Sequence, residues 1–158
     1  MLPRAEYLAS LPKKRMAAGA LIRDEYGNIL IVKPIYRADW LIPGGHVEAN
    51  ESPRVAAIRE IVEEIGLDIQ VSRLLAIEYQ HAYADTSESL QFLFDGGVLT
   101  PAQIEDIKLP ADELSEWRFV PVDTALQLLA PKLAQRIKLV CDHPDQTLYS
   151  EEGVPFSL

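Results

Sequence analysis

Cysteine is all but missing from this chain: Cys141 is the single one in 158 residues, so no intramolecular disulfide can staple the fold. Long apolar runs are missing too, and none approaches the ~20 residues that a membrane span requires. The opening "MLPRAEYLASLPKKRM" lacks the uninterrupted apolar stretch of a secretory signal. Together these absences predict a cytoplasmic protein without a membrane partner. Basic residues are outnumbered, 15 Lys and Arg against 24 Asp and Glu, giving a formal net charge of −9. That deficit argues against a nucleic-acid polymer as partner, because such binding depends on neutralising many phosphates. A small anionic substrate stays open if a cation intervenes. Repeats, low-complexity tracts and Gly/Ser linkers are absent as well.

What is there reads as one domain, residues 1–158, with 48% hydrophobic and 25% charged residues and enough length to bury a core. Residues 4–11 can form a short lead-in helix. Residues 16–24 and 28–34 are apolar runs joined by "EYGN", a hairpin pattern. "WLIPGG" (40–45) reads as a short strand ending in a glycine loop. Residues 69–83, 90–99 and 116–122 read as further strands, with Gly96 and Gly97 marking a bend or bulge. Residues 123–143 are helical in pattern and interrupted at Pro131. Strands and helices mix without regular alternation, which predicts an α/β fold with a mixed sheet flanked by helices.

The stretch "GGHVEANESPRVAAIREIVEEIGLD" (44–68) carries the chemistry. Ser52 and Pro53 mark a helix start and Gly66 a stop. At ~100° per residue, Glu60, Glu63 and Glu64 share one arc, while Val55, Ile58, Ile61, Val62 and Ile65 fill the opposite one. Ala56 and Ala57 fall on the acidic side, as if room were left there for something other than side chain. Glu60 with Glu63 and Glu60 with Glu64 are like-charge pairs, each unfavourable by ~0.2 to 0.5 kcal/mol, near the negative end of the helix dipole. Within the helix only Arg59, four residues before Glu63, can compensate. A local rule broken without local compensation marks a functional site, and a hard divalent cation such as Mg²⁺, which takes oxygen ligands and bridges carboxylates to phosphates, is the natural compensator. Gly44 and Gly45 let backbone approach a ligand, and a peptide carbonyl there can be a further hard ligand.

The joint spacing is specific: Gly45, five residues, Glu51, seven residues, Arg59, Glu60, Ile61, one residue, Glu63, Glu64, one residue, Gly66, Leu67. Seven fixed residue types would coincide by chance on the order of 10⁻⁹ per start position. This pattern resembles the signature of the Nudix hydrolases at every position. The resemblance implies an α/β/α sandwich around a central mixed β-sheet, and hydrolysis of a nucleoside diphosphate linked to another group with Mg²⁺ or Mn²⁺. It implies Glu60 and Glu64 as principal metal ligands, Glu63 as a third ligand or water-activating base, and the Gly45 carbonyl as a further ligand. Arg59 resembles the residue that orients a signature glutamate. Glu48 and Glu51 resemble loop carboxylates that hold the loop or reach an outer metal or the substrate.

Outside the signature, Glu113 and Glu116, with Glu88 behind them, are candidates for the general base that many family members place elsewhere, or are surface charges. Lys33 and Arg37 are candidates for substrate phosphates, or solvated cations. His46, Tyr36 and Trp40 are weaker candidates, with structural readings preferred. The small-molecule partner stays open among nucleoside triphosphates, nucleotide sugars and dinucleoside polyphosphates. Tyr83 follows Gly66 at a spacing similar to a tyrosine of dinucleoside polyphosphate hydrolases. A non-catalytic nucleotide-sensing domain is the alternative function. An isomerase would need a reactive cysteine near the site, and Cys141 is far from it in sequence. The aliphatics of 123–143 (Leu126, Leu128, Leu129, Leu133, Ile137, Leu139, Val140) exceed one stripe. Either Pro131 bends the segment so that both halves pack inward, or a homodimer covers the remainder, the expectation taken forward.

Overall fold

The computed structural model describes residues 1–156. A short helix α1 (Arg4–Ser10) leads into β1 (Arg15–Arg23), β2 (Ile29–Pro34) and β3 (Gly44–His46). Helix α2 (Pro53–Ile65) follows, then β4 (Leu74–Gln80), β5 (Ser89–Val98), α3 (Pro101–Glu105) and β6 (Leu114–Val120). Helices α4 (Val122–Leu128) and α5 (Pro131–Asp142) precede a final hairpin, β7 (Leu148–Glu151) and β8 (Val154–Phe156).

The strands form one mixed sheet in the order β6-β2-β1-β5-β4-β7-β8, with β3 paired to β1. β1 and β2 are antiparallel around a turn built by Asp24, whose Oδ1 accepts the backbone N–H of Tyr26 and of Asn28, each at 2.9 Å. β1 runs parallel to β5, and, as in any strand, its alternate residues face opposite layers. Ala18, Ala20 and Ile22 pack with Ile61 and Ile65 of α2, whereas Leu21 packs on the other face with Ile137 and Val140 of α5. The result is the α/β/α sandwich around a mixed sheet that the sequence predicts. The register shift between Leu21 and Arg23, opposite Asp95 to Val98, puts a bulge at Gly96 and Gly97.

Several expectations need correction. The "WLIPGG" strand is reduced to single bridges at Trp40 and Leu41, and the glycines form a strand of their own, Ala18 pairing with Gly45 and Gly19 with Gly44. Only Leu74–Gln80 of the 69–83 stretch is strand; Ile69 and Val71 are buried but act as core plugs outside the ladder. The 123–143 segment is interrupted at Pro131 as its pattern expects, α4 ending at Leu128 and α5 beginning at Pro131. Its seven aliphatics are all buried or half-buried against the α5-side core, as in the inward-packing reading. α3 and the β7-β8 hairpin were not anticipated. Among the described residues no helix is long and apolar enough to cross a membrane.

Candidate active site

The caps of α2 are those its sequence calls for. Ser52 accepts the N–H of Val55, Pro53 takes the first turn, and Gly66 closes the helix at φ 72°, a left-handed conformation that suits glycine. The packed face is rotated from the predicted one. Ala56 and Ala57 are fully buried against the sheet, Val55 and Val62 stand in solvent, and Glu64 is only 5% exposed. Two alanines let the helix lie close on β1, and β3 then covers the acidic side. The space at Ala56 and Ala57 is filled by protein.

Gly45 pairs with Ala18, which places its Cβ position on the α2 side of the sheet. A Cβ there would stand 2.5 Å from the carboxylate carbon of Glu60, so glycine lets the β3 backbone meet that carboxylate where any side chain would push it aside. One residue earlier, the Gly44 N–H donates to Glu64 Oε2 at 2.8 Å. Burial outweighs that hydrogen bond, and with the charges of Glu60, Glu113 and Glu63 it pushes the Glu64 carboxyl up to about 8. Burial likewise raises Glu60, against the pull of Arg59.

Arg59 is the hub of the cluster. Its Nε and Nη2 grip the two oxygens of Glu51 at 2.9 and 3.1 Å, a bidentate pair. Nη1 reaches Glu60 at 2.8 Å and Glu63 at 3.0 Å, and Nη2 also donates to the His46 carbonyl at 3.0 Å. The Arg59 hydrogen bonds hold Glu51 below the usual carboxylate range, and Glu51 in turn holds Arg59 above its own. Glu51 also accepts the Glu48 N–H at 2.9 Å, so Glu48 serves the loop through its backbone while its side chain is exposed. Arg59 thus compensates three carboxylates, more than the helix alone indicates.

The outlying candidates separate. The charge of Glu113, just before β6, raises both Glu60 and Glu64, which brings it within electrostatic reach of the cluster. Glu116 is paired with Arg118 at 2.5 Å, and Glu88 with Lys14 and the Tyr79 hydroxyl, each at 2.5 Å. Lys33 is spent on its own loop, donating to the carbonyls of Arg37 (3.1 Å) and Ala38. Arg37 pairs with Asp39 and lines a cleft of about 590 Å³ on the α5 side of the sheet. Gly44 and Gly45 line the same cleft, so the glycine strand touches both the glutamates and the cavity. Tyr36 and Tyr83 are exposed, His46 gives its carbonyl to Arg59 while its side chain is exposed, and Trp40 is core beneath Arg118. Sequence reasoning missed Gln80, Gln91, Lys132 and Arg136 in the cleft. The available signal was a Glu78 inside the apolar strand "LLAIEYQ" and an Arg136 beside Ile137 on the apolar side of α5.

Among the described residues no three acidic, His or Cys side chains stand together as a ready metal-holding set, because Glu60 and Glu63 are turned to Arg59 and Glu64 to Gly44. The donors nonetheless fit a hard divalent cation. All are oxygens, Gly45 keeps the cradle beside Glu60 open, and the buried Glu64 is a carboxylate whose charge a cation would restore.

The model of the NUDIX domain matches residues 13–142. The chain belongs to the Nudix hydrolase family. A Proteus vulgaris relative named 8-oxo-dGTP diphosphatase is 34% identical over 84 residues, 51% of this chain and 74% of that protein. A Bacillus subtilis relative named "Putative ADP-ribose pyrophosphatase YjhB" is 30% identical over 135 residues, 81% of this chain. The matched part spans 62% of that Bacillus protein. The MutT protein of Methanosarcina mazei Go1 has the same fold, with TM-score 0.72 at 23% identity, covering 87% of this chain and 100% of that one.

Proposed function

We propose that this Nudix protein hydrolyses a phosphoanhydride bond in a nucleoside diphosphate linked to another group, with Mg²⁺ or Mn²⁺ as cofactor. One observation carries the reading: β3 brings the backbone of Gly44 and Gly45 between the α2 glutamates and a cleft of about 590 Å³, a volume suited to a nucleotide. The compounds named for the two relatives, 8-oxo-dGTP and ADP-ribose, fall in this class. Nucleoside triphosphates, nucleotide sugars and dinucleoside polyphosphates are the substrate types it covers, and the cytoplasm is where the reading places it.

Glu60, Glu63, Glu64 and the Gly45 carbonyl would hold the cation. Bound there, it supplies charge neutralisation for the diphosphate and a water of lowered pKa. The chain's own groups do the rest. Arg59 holds Glu60 and Glu63 on one side of α2 through a guanidinium itself fixed by Glu51. Glu64 must release a proton to act as a charged ligand at pH 7, since its carboxyl titrates at about 8 in the metal-free protein. Glu113 is the candidate outside the signature that we retain for taking the proton of the attacking water, because its charge bears on Glu60 and Glu64 while Glu116 is held by Arg118 and Glu88 by Lys14 and Tyr79. Arg37, on the cleft beside Gly44 and Gly45, is the candidate cation for a substrate phosphate.

The test is a panel of nucleoside triphosphates, ADP-ribose and dinucleoside polyphosphates, incubated with Mg²⁺ and with EDTA, reading released phosphate and nucleotide. Turnover of at least one class that EDTA abolishes is expected. No turnover of any member by folded protein would remove the hydrolase reading.

A further inference from the structure

The face of the sheet beneath α5 changes character along its strands. At one end it is apolar: Leu21, Ala76 and Leu93 pack with Ile137 and Val140. At the other end the same alternation brings up Glu78 and Gln80 on β4 and Ser89 and Gln91 on β5. The register sets Glu78 opposite Gln91 and Gln80 opposite Ser89, so these four form one polar patch rather than scattered substitutions.

Two of its members and the adjoining Arg136 have hydrogen-bonding capacity left over. Gln91 donates through Nε2 to Ser89 at 2.9 Å, and its Oε1 accepts nothing among the described residues. Gln80 donates through Nε2 to Glu78 at 3.1 Å, and its Oε1 is likewise free among them. Arg136, 7% exposed, gives Nε (3.0 Å) and Nη2 to Glu78, which is 1% exposed, leaving Nη1 without a partner among the described residues. Gln80, Gln91 and Arg136 all line the cleft. A fully buried carboxylate and guanidinium are costly relative to an apolar pair of the same volume. Here the pair orients donors and acceptors toward an open space.

Position gives the patch its meaning. Across the sheet the order runs β3, β1, β5, β4. Ala17 pairs with His46 on one side and with Gln91 on the other, and Gln91 pairs with Glu78. At ~4.8 Å per strand, Gln91 and the β4 residues lie about 10 and about 14 Å from the β3 backbone. Between them β1 presents Ala17, Ala18 and Gly19 to the cleft, all small residues, which keeps its floor low. A substrate whose diphosphate sits at β3 therefore lays its next moiety across β1 and ends on the carboxamides.

We propose that Gln80, Gln91 and Arg136 are the specificity-determining floor of this cleft, reading the hydrogen-bonding edge of a nucleobase. A carboxamide offers a donor and an acceptor side by side, the complement of the paired donors and acceptors that a base edge presents. The inference rests on the hydrolase reading for its substrate class but is tested by binding.

The experiment compares the unsubstituted protein with Gln80→Met, Gln91→Met and Arg136→Lys; the last keeps a cation beside Glu78. Calorimetry without metal measures binding of adenosine, guanosine and uridine 5′-monophosphates against ribose 5-phosphate, which lacks a base. Expected is a preference for at least one nucleotide over ribose 5-phosphate of tenfold or more, reduced at least fivefold in each variant that keeps its thermal transition. No such preference in the unsubstituted protein, or one unchanged in Gln91→Met and Gln80→Met, overturns the assignment. Base-dependent binding without hydrolysis of any substrate would retain the floor and remove the hydrolase reading. Hydrolysis with base-indifferent binding would do the reverse.

Discussion

Replacing Glu64 by Gln should stabilise the metal-free protein while abolishing its turnover. Glu64 is 5% exposed and titrates at about 8 instead of the ordinary 4.5, burial being the largest cause. A raised carboxyl pKa means that between these values the folded chain binds a proton that the unfolded chain has lost. Stability is therefore full below pH 4.5, falls as pH rises through the window and levels above 8. The full shift corresponds to about 5 kcal/mol, and the part already lost at pH 7 to about 3 kcal/mol. Gln is the neutral isostere, and its Oε1 can still accept the Gly44 N–H. Glu64→Gln should thus match the native chain near pH 4 and exceed it by about 3 kcal/mol at pH 7, about 6 to 12 °C in melting temperature. The assay is thermal or urea unfolding in EDTA across pH 4 to 9. Parallel stability profiles for the two proteins would refute the argument, because they would mean that Glu64 is not ionised against its environment.

Saturating Mg²⁺ should raise the melting temperature of the native chain more than that of Glu64→Gln, and a shift of ~2.7 kcal/mol is expected at a hundred times the dissociation constant. Calorimetry with Mg²⁺ and EDTA checks it. Gly45→Ala drives a Cβ into the Glu60 carboxylate; turnover should fall at least tenfold at a stability cost of about 1 to 3 kcal/mol, read by kinetics and urea melts. Arg59→Met leaves Glu51 and Glu60 without their partner and should destabilise by about 2 kcal/mol in addition to losing activity. Glu113→Gln should lower kcat by about a hundredfold or more, and Glu116→Gln should leave it unchanged, because the charge of Glu113 bears on Glu64 whereas Glu116 is paired with Arg118.

How much was legible from the amino acids follows from what each signal encodes. Ser52, Pro53 and Gly66 are local instructions, and they place α2 within a residue. The rotation of α2 was not legible, since a wheel weighs Val62 above Ala57, whereas the sheet accepts the residue that lets the helix come closer. That error hid the burial of Glu64, the feature that sets its pKa. The glycine pair looked like a loop because a three-residue strand has no periodicity of its own; it is a strand only because β1 offers an edge there. The polar floor of the cleft depends on the Glu78–Gln91 register between strands, a long-range fact that spacing along one strand does not contain. In 123–143 the interruption at Pro131 was legible, whereas the packing of the two short helices on the sheet is a tertiary fact that the segment's own pattern does not contain.

The central claim is that the α2 glutamates make this Nudix protein a metal-dependent hydrolase. Its most direct test is the rate of phosphoanhydride cleavage on the nucleotide panel by the native chain and by Glu60→Gln and Glu64→Gln, each confirmed folded, as a function of Mg²⁺. The account expects Mg²⁺-dependent turnover in the native chain and a loss of at least a hundredfold in both variants. Native-like turnover in either variant, or turnover that persists in EDTA, would contradict it.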